Sequence, residues 1–250
     1  MSIAEDLQRI INAKADMIQA ITEKGVTVPD NTRISDLAEL IDQIGDSGPV
    51  FSFVTIGNRD YKTVKIGKQT WLCQNLDYSF NGSTWGINNN KTTPGYYYPY
   101  GSSDYSLDGT YKCGLFYNWY AVEYLETNKA QLLPEGWRVS TIADWETLFN
   151  KIGTEVAGTK LKAKSKTITT SWPKDNWSGT DDYGFCALPA GRYYGGMDAY
   201  FDSYGEYWVL DSYNDTNAYK FLFSTIKTNV EKSFWAKDAG MNVRLIKDEV

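Results

Sequence analysis

Residues 184–219 read GFCALPAGRYYGGMDAYFDSYGEYWVLDSYNDTNAY. The stretch opens on a compact apolar segment, Phe185 to Leu188, closed by Pro189-Ala190-Gly191. Seven tyrosines then fall between Tyr193 and Tyr219, with Phe201 and Trp208 among them and Gly, Asp, Ser and Asn between. Tyr and Trp supply large, stiff, amphipathic area, and Ser, Gly and Asn supply adaptable hydrogen bonds, so the mixture suits a contact surface. A loop-rich β region whose tyrosines cap a sheet is the other reading.

The composition sets the outer bounds. Of 250 residues, 15% are aromatic, with 9 Trp and 19 Tyr, more rings than a core requires. The net charge of −6 is uneven: residues 1–46 hold nine acidic and four basic side chains, the remainder 22 and 21. No basic stripe suggests nucleic acid or an anionic membrane. There is no histidine, which removes His-based triads, histidine bases and most zinc sites. Cys73, Cys113 and Cys186 are widely spaced and odd in number, which reads as buried small hydrophobes rather than a disulfide framework. Met1-Ser2 leads into an acidic amphipathic pattern without a secretion signal, so synthesis in the cytoplasm is expected.

Ser2 followed by Glu5 fits a capping box at a helix start, and Gly25 a C-cap. Ile3, Leu7, Ile10, Met17 and Ile21 mark a seam spaced by four and three, with Lys14 in the one polar slot and Ile11 and Ile18 widening it. The seam fits either a helix lying on its own domain or a short oligomeric coil. A second helical pattern runs Ile34, Leu37, Leu40, Ile41, Ile44 and ends at Gly45. Asp46-Ser47-Gly48-Pro49 reads as a linker, dividing residues 1–48 from 49–250.

Beyond the linker, Val50–Ile56, Tyr61–Ile66 and Gln69–Leu72 read as strands, with turns at Asn58-Arg59-Asp60 and Gly67-Lys68. Asn81–Tyr100 reads as a long loop ending in Tyr96-Tyr97-Tyr98-Pro99-Tyr100. Leu115–Val122 fits helix or strand. Thr141–Ile152 reads as a helix capped by Thr141, with Asp144 in its first turn and Trp145, Leu148, Phe149 and Ile152 on one face. Thr159–Trp172 reads as an exposed strand or loop, and Trp208–Leu210, Phe221–Ile226 and Val243–Ile246 as closing strands. Trp71, Trp119, Trp137 and Trp145 lie beside apolar residues and are expected in the core, whereas Trp85, Trp177 and Trp235 have polar surroundings and are surface candidates.

Two resemblances follow from these residues. IINAKADMIQAITEKGVTVPDNTRISDLAELIDQI, residues 10–44, resembles a helical segment of bacteriophage tail and tail-fibre proteins, which implies attachment or oligomerisation. TVKIGKQTWLCQNL, GLFYNWYAV, LPEGWRVSTIADWETL, GFCALPAGRY, YWVLDS and MNVRLIKD resemble, in order, blocks of the Fibrobacter succinogenes major paralogous domain family. Val139-Ser140-Thr141 and Trp208-Val209-Leu210 depart mildly from its usual PT and WSS. That resemblance implies an α+β, C-type-lectin-like fold of the formylglycine-generating-enzyme branch, with small antiparallel sheets and long irregular loops, preceded here by a short N-terminal helical hairpin. The matching block implies that Gly184 to Arg192 is buried scaffold, with Tyr207-Trp208 returning to the core, and the family fold implies that the two remaining exposed runs, Tyr193–Tyr204 and Asp211–Tyr219, can sit side by side. The resemblance also implies a likeness to the variable proteins of diversity-generating retroelements, whose rewritten codons give the Tyr, Asp, Ser and Asn palette of the opening stretch.

The expectation is a ligand- or receptor-binding protein, not an enzyme, carried on a phage tail and acting outside the cell on a host cell-surface protein or glycan. The helical segment would join it to the tail structure and form a homo-oligomer. The expected contacts are Tyr193, Tyr194, Asp198, Tyr200, Tyr204, Tyr213, Asn214, Asn217 and Tyr219, with Trp235 at the edge, and no cofactor or metal is expected. Three alternatives stand beside it. One is a calcium-assisted lectin drawing on Asp181-Asp182, although no Asp-x-Asp-x-Asp-Gly loop is present and a solvated turn is favoured. The second is an oxidase-like enzyme built on paired cysteines, and the third a structural tail subunit.

Overall fold

The computed structural model describes residues 3–23, 26–37, 39–40, 48–86, 92–102, 106–107, 111–164 and 179–248. The chain forms two units, Met1–Gly48 and Pro49–Val250. In the first, α1 spans Ile3–Glu23, with Glu5 and Asp6 in its first turn, where the helix dipole favours negative charge. Leu7, Ile10 and Ile11 are exposed and Ile21 is buried. A 3₁₀ turn, Ile34–Asp36, begins the second helical pattern, tied by Arg33 N–H donating to the Asp36 carboxylate at 3.2 Å. The expected caps at Ser2 and Gly25, and residues 41–47, lie outside the described residues.

The second unit runs β1 (Phe51–Ile56), β2 (Arg59–Ile66), β3 (Gln69–Leu72), β4 (Thr84–Trp85), β5 (Gly95–Tyr97), β6 (Ser106–Leu107), β7 (Tyr111–Lys112), β8 (Phe116–Tyr117), α2 (Trp119–Thr127), α3 (Lys129–Leu132), β9 (Trp137–Val139), α4 (Ile142–Ile152), α5 (Ala157–Leu161), β10 (Arg192–Tyr194), β11 (Met197–Ala199), β12 (Tyr204–Ser212), β13 (Asn217–Ser224), β14 (Val230–Ala236) and β15 (Leu245–Lys247). It is a mixed α and β unit with small, mostly antiparallel sheets. The largest is ordered β1-β2-β3-β15-β9, and β12-β13-β14 form a separate three-stranded sheet.

Local chemistry explains the elements. The β1–β2 turn is Gly57-Asn58, one residue earlier than the sequence suggests, because Arg59 already pairs with Ile56. Leu115–Val122 is both strand and helix. Asn118 stops β8 and caps α2 by accepting from Ala121 N–H at 2.9 Å, while also accepting from Gly95 N–H and donating to the Thr93 carbonyl. In α4, Thr141 and Asp144 form a full capping box, which contributes about 1 kcal/mol.

Two clusters make the core. In one, the Trp145 ring meets Trp71, Phe221 and Phe185 at 5.1, 5.3 and 5.5 Å. In the other, Trp119 and Trp208 lie buried with their indole N–H groups donated to the carbonyls of Val209 and Tyr117. Buried Trp needs such partners, since an open N–H costs roughly 1–3 kcal/mol. Trp137 is buried beside them. Arg244, fully buried, fastens the sheet to the segment before β10. It donates to Asn75 Oδ1, to the carbonyls of Leu72 and Phe185 and to that of Cys186, at 2.7–2.9 Å. Phe185, Ala187, Leu188 and Ala190 are accordingly buried, the scaffold role expected of them, and Tyr207-Trp208 return to the core.

The expected exposed stretch after Thr159 begins otherwise. Thr159 to Leu161 complete α5, and Lys162 is buried with its ammonium donating to the carbonyls of Ser224 and Lys227 at 3.0 Å each. Residues 165–172 of that stretch lie outside the described residues.

Candidate binding surface

Gly191, at φ +74°, swings the chain out of the buried segment. A Cβ there would meet the Ala199 carbonyl oxygen at 2.2 Å, so only glycine lets the hairpin close. Register then sets its two faces: Arg192 pairs with Ala199, Tyr193 with Asp198 and Tyr194 with Met197. Paired residues share a face and successive residues alternate, so Tyr193 and Asp198 point one way and Arg192, Tyr194 and Met197 the other. On the first face Tyr193 stacks on Tyr97 at 4.0 Å, and Asp198 Oδ2 accepts from Tyr100 N–H at 3.1 Å. On the second, the Arg192 guanidinium lies between the rings of Trp235, at 4.0 Å, and Tyr200, at 4.6 Å, and Tyr194 meets Trp235 edge-on at 6.0 Å. Tyr200 stacks on Tyr204 at 5.1 Å.

The second run is placed by β13 and β14, where Ala218 pairs with Trp235 and Tyr219 with Phe234. Neighbouring pairs alternate, so Trp235 and Phe234 lie on opposite faces of that sheet. Tyr213 lies parallel to Phe234 at 4.0 Å and edge-on to Tyr219 at 5.3 Å. Asn214 Oδ1 accepts from the N–H groups of Thr216 and Asn217 and from the Asn217 amide, so both asparagines build the turn. The two runs therefore do not form one continuous surface. The first group surrounds the hairpin, with Tyr194, Tyr200 and Tyr204 on the Trp235 side and Tyr193 and Asp198 on the Tyr97 and Tyr100 side, whereas Tyr213, Asn214, Asn217 and Tyr219 gather with Phe234.

None of the ten expected contact residues is core. Tyr194, Tyr200 and Tyr213 are 41, 50 and 46% exposed, Asn214 is exposed, and the rest are half-buried. Met197, Phe234, Tyr97, Tyr100, Phe201 and Arg192 also belong to these groups and were not read from the sequence. The run Tyr96–Tyr100 was the available signal for two of them. The Trp177 candidate and the Trp85 side chain lie outside the described residues.

Strained backbone and raised carboxyls lie around the hairpin. Tyr100, Tyr200 and Asp202 are non-glycine residues at φ +54°, +60° and +65°, a conformation that surrounding structure must enforce. Burial pushes the Asp202 carboxyl up to about 6. Burial does the same to Asp198, to about 6, against the lowering effect of the Tyr100 N–H. Behind the face, Glu206 has no exposed surface and accepts from both Arg192, at 2.9 Å, and Lys220.

The fold also brings Cys73 and Cys186 onto one cavity of about 220 Å³, with Phe51, Lys62, Gln74, Asp181 and Gly184. Burial pushes the Cys73 thiol up to about 12 and the Cys186 thiol higher still, so both are neutral thiols rather than nucleophilic thiolates. Asp181 and Asp182 lie at the expected turn, closed by Gly184 N–H donating to the Asp181 carbonyl at 3.1 Å, and Asp182 is exposed. The Asp181 carboxylate is turned inward instead, where it accepts from Cys186 N–H at 2.8 Å and burial raises it to about 6.

A family model described as the Fibrobacter succinogenes major domain matches residues 64–247. No curated protein and no solved structure matches.

Proposed function

The chain belongs to the Fibrobacter succinogenes major domain family, and we propose that this member is a binding protein rather than an enzyme. Its second unit would be a C-type-lectin-like domain that presents the β10–β11 hairpin to a host cell-surface molecule. The observation that carries this reading is that two exposed rings at the hairpin are each propped on a half-buried one above a buried scaffold, Tyr200 on Tyr204 and Tyr194 on Trp235. Stiff aromatic anchors at a surface are what recognition requires. The first unit, with its exposed Leu7, Ile10 and Ile11, would attach or oligomerise the protein on a phage or prophage tail. The Tyr, Asp and Asn palette of the hairpin and of the Tyr213 turn would come from retroelement diversification, and sibling sequences would then differ at those positions.

The test is capture of host cells by labelled protein. Replacing Tyr194 and Tyr200 together by Ala is expected to weaken capture at least about thirtyfold, since one anchor residue alone costs roughly 2 kcal/mol or more, with cooperative thermal unfolding retained. Capture equal to that of the parent protein would sink the reading.

A further inference from the structure

On the Trp235 side of the hairpin the buried charges do not balance. Arg192 Nη1 lies 2.9 and 3.2 Å from the two Glu206 oxygens, and Lys220 Nζ donates to the same carboxylate. The Arg192, Lys220 and Glu206 side chains are 9, 3 and 0% exposed. Glu231, which also acts on Lys220, is held by Lys227 at 2.5 Å. Two cations thus share one carboxylate away from water, an arrangement that favours a further negative group.

Two donors stand open at the same place. Arg192 Nε and Trp235 Nε1 are buried and have no acceptor among the described residues. The guanidinium carbon lies 4.0 Å from the Trp235 ring centroid, so the groups are neighbours. Buried N–H groups are nearly always bonded, and a guanidinium stacked on an indole, each with one N–H open, suits a charged, two-oxygen acceptor. Asp198 points to the other face of the hairpin and does not supply it. The rim is flat and apolar, made by Tyr194, 41% exposed, and Met197, 65% exposed.

We propose that the Arg192–Trp235 corner is a subsite for the carboxylate of an acidic sugar whose C–H face rests on the Tyr194 ring. The proposal rests on the reading of this face as a binding surface. Neither N–H reaches solvent in the present arrangement, so the carboxylate enters as a covering ring turns aside. Tyr200 and Tyr194, which lie against the pair, are 50 and 41% exposed and have room to change rotamer.

Calorimetric titration of the full chain with glucuronate and with glucose isolates the carboxylate, because the two sugars differ only at that carbon. Glucuronate is expected to bind at least about tenfold more tightly, and raised salt to narrow the gap. Trp235→Phe keeps an aromatic ring and removes one donor. It is expected to lower glucuronate affinity about tenfold, the worth of one charge-assisted hydrogen bond, while glucose affinity stays as in the parent and cooperative thermal unfolding shows the fold retained. An Arg192 variant would leave Glu206 short of a partner in the interior, so the Trp235 variant carries the test. Equal affinity for the two sugars, no glucuronate binding, or an unaffected Trp235→Phe overturns the subsite. If the Tyr194/Tyr200 variant still loses cell capture in that event, the broader reading stands.

Discussion

Arg244 and Arg192 are both buried guanidiniums, and their partners separate scaffold from surface. Arg244 donates to four acceptors and leaves four oxygens satisfied, so it works as a bolt between β3, β15 and the Phe185 segment. Arg192 keeps an open Nε and lies between rings that face outward. The same contrast holds among carboxylates. Glu206 has two cations, whereas Asp202 Oδ1 has no partner among the described residues, and burial raises that carboxyl to about 6. A carboxyl whose folded value exceeds its unfolded one binds more protons when folded. Its contribution therefore favours the fold at low pH and is lost as pH rises between about 4 and 6. Asp181 and Asp198 shift in the same direction. Asp202→Asn removes the ionised form, so it is expected to raise the melting temperature at pH 7 and to lose that advantage by pH 4. Thermal scans across this range check it, and a gap that does not change with pH would refute the assignment.

At the scale of elements, legibility followed local chemistry. Thr141 and Asp144 announced α4, Gly67-Lys68 marked the turn between β2 and β3, and the apolar Phe185–Leu188 run announced its own burial. Asn118 settled a segment that the sequence left between helix and strand, because one side chain ends β8 and caps α2. What could not be read was pairing. β14 carries its polar residues as one run, Glu231-Lys232-Ser233, ahead of Phe234 and Trp235, and without alternation the sequence hid a strand. Without β14 there was no register to show that Trp235 and Tyr219 face opposite ways, and in a strand one residue of slip exchanges the faces. The ten expected contact residues could therefore be read as lying outside the buried core, but not as two separate groups. The hairpin that carries the first group depends on Gly191. Gly191→Ala places a methyl group against the Ala199 carbonyl at a positive φ, and is expected to cost at least about 2 kcal/mol. Amide exchange should then accelerate at residues 192–199 before it does in β12 and β13. Uniform protection in the variant would show that another constraint closes the hairpin.

At the scale of the molecule, the two units carry different parts of the proposed function. Every residue of both core clusters belongs to Pro49–Val250, so that unit holds its own stability. α1 carries a seam of Ile3, Leu7, Ile10, Met17 and Ile21 with Lys14 among them, and Leu7 and Ile10 are exposed. Leu followed by Ile at successive seam positions favours assemblies larger than dimers, and a single polar residue on the seam fixes register at some cost in stability. If copies of α1 associate, the hairpins act together on a cell surface, and linked sites gain about 10²–10⁴ in apparent affinity without any new contact. Removing residues 1–48 is therefore expected to leave the melting temperature and the glucuronate affinity of the remaining unit unchanged. Cell capture should fall by about two orders of magnitude or more, and sedimentation should show the full chain as an oligomer and the truncated chain as a monomer. A monomeric full chain, or a truncated chain that captures cells equally well, would confine the first unit to attachment and remove avidity from the mechanism.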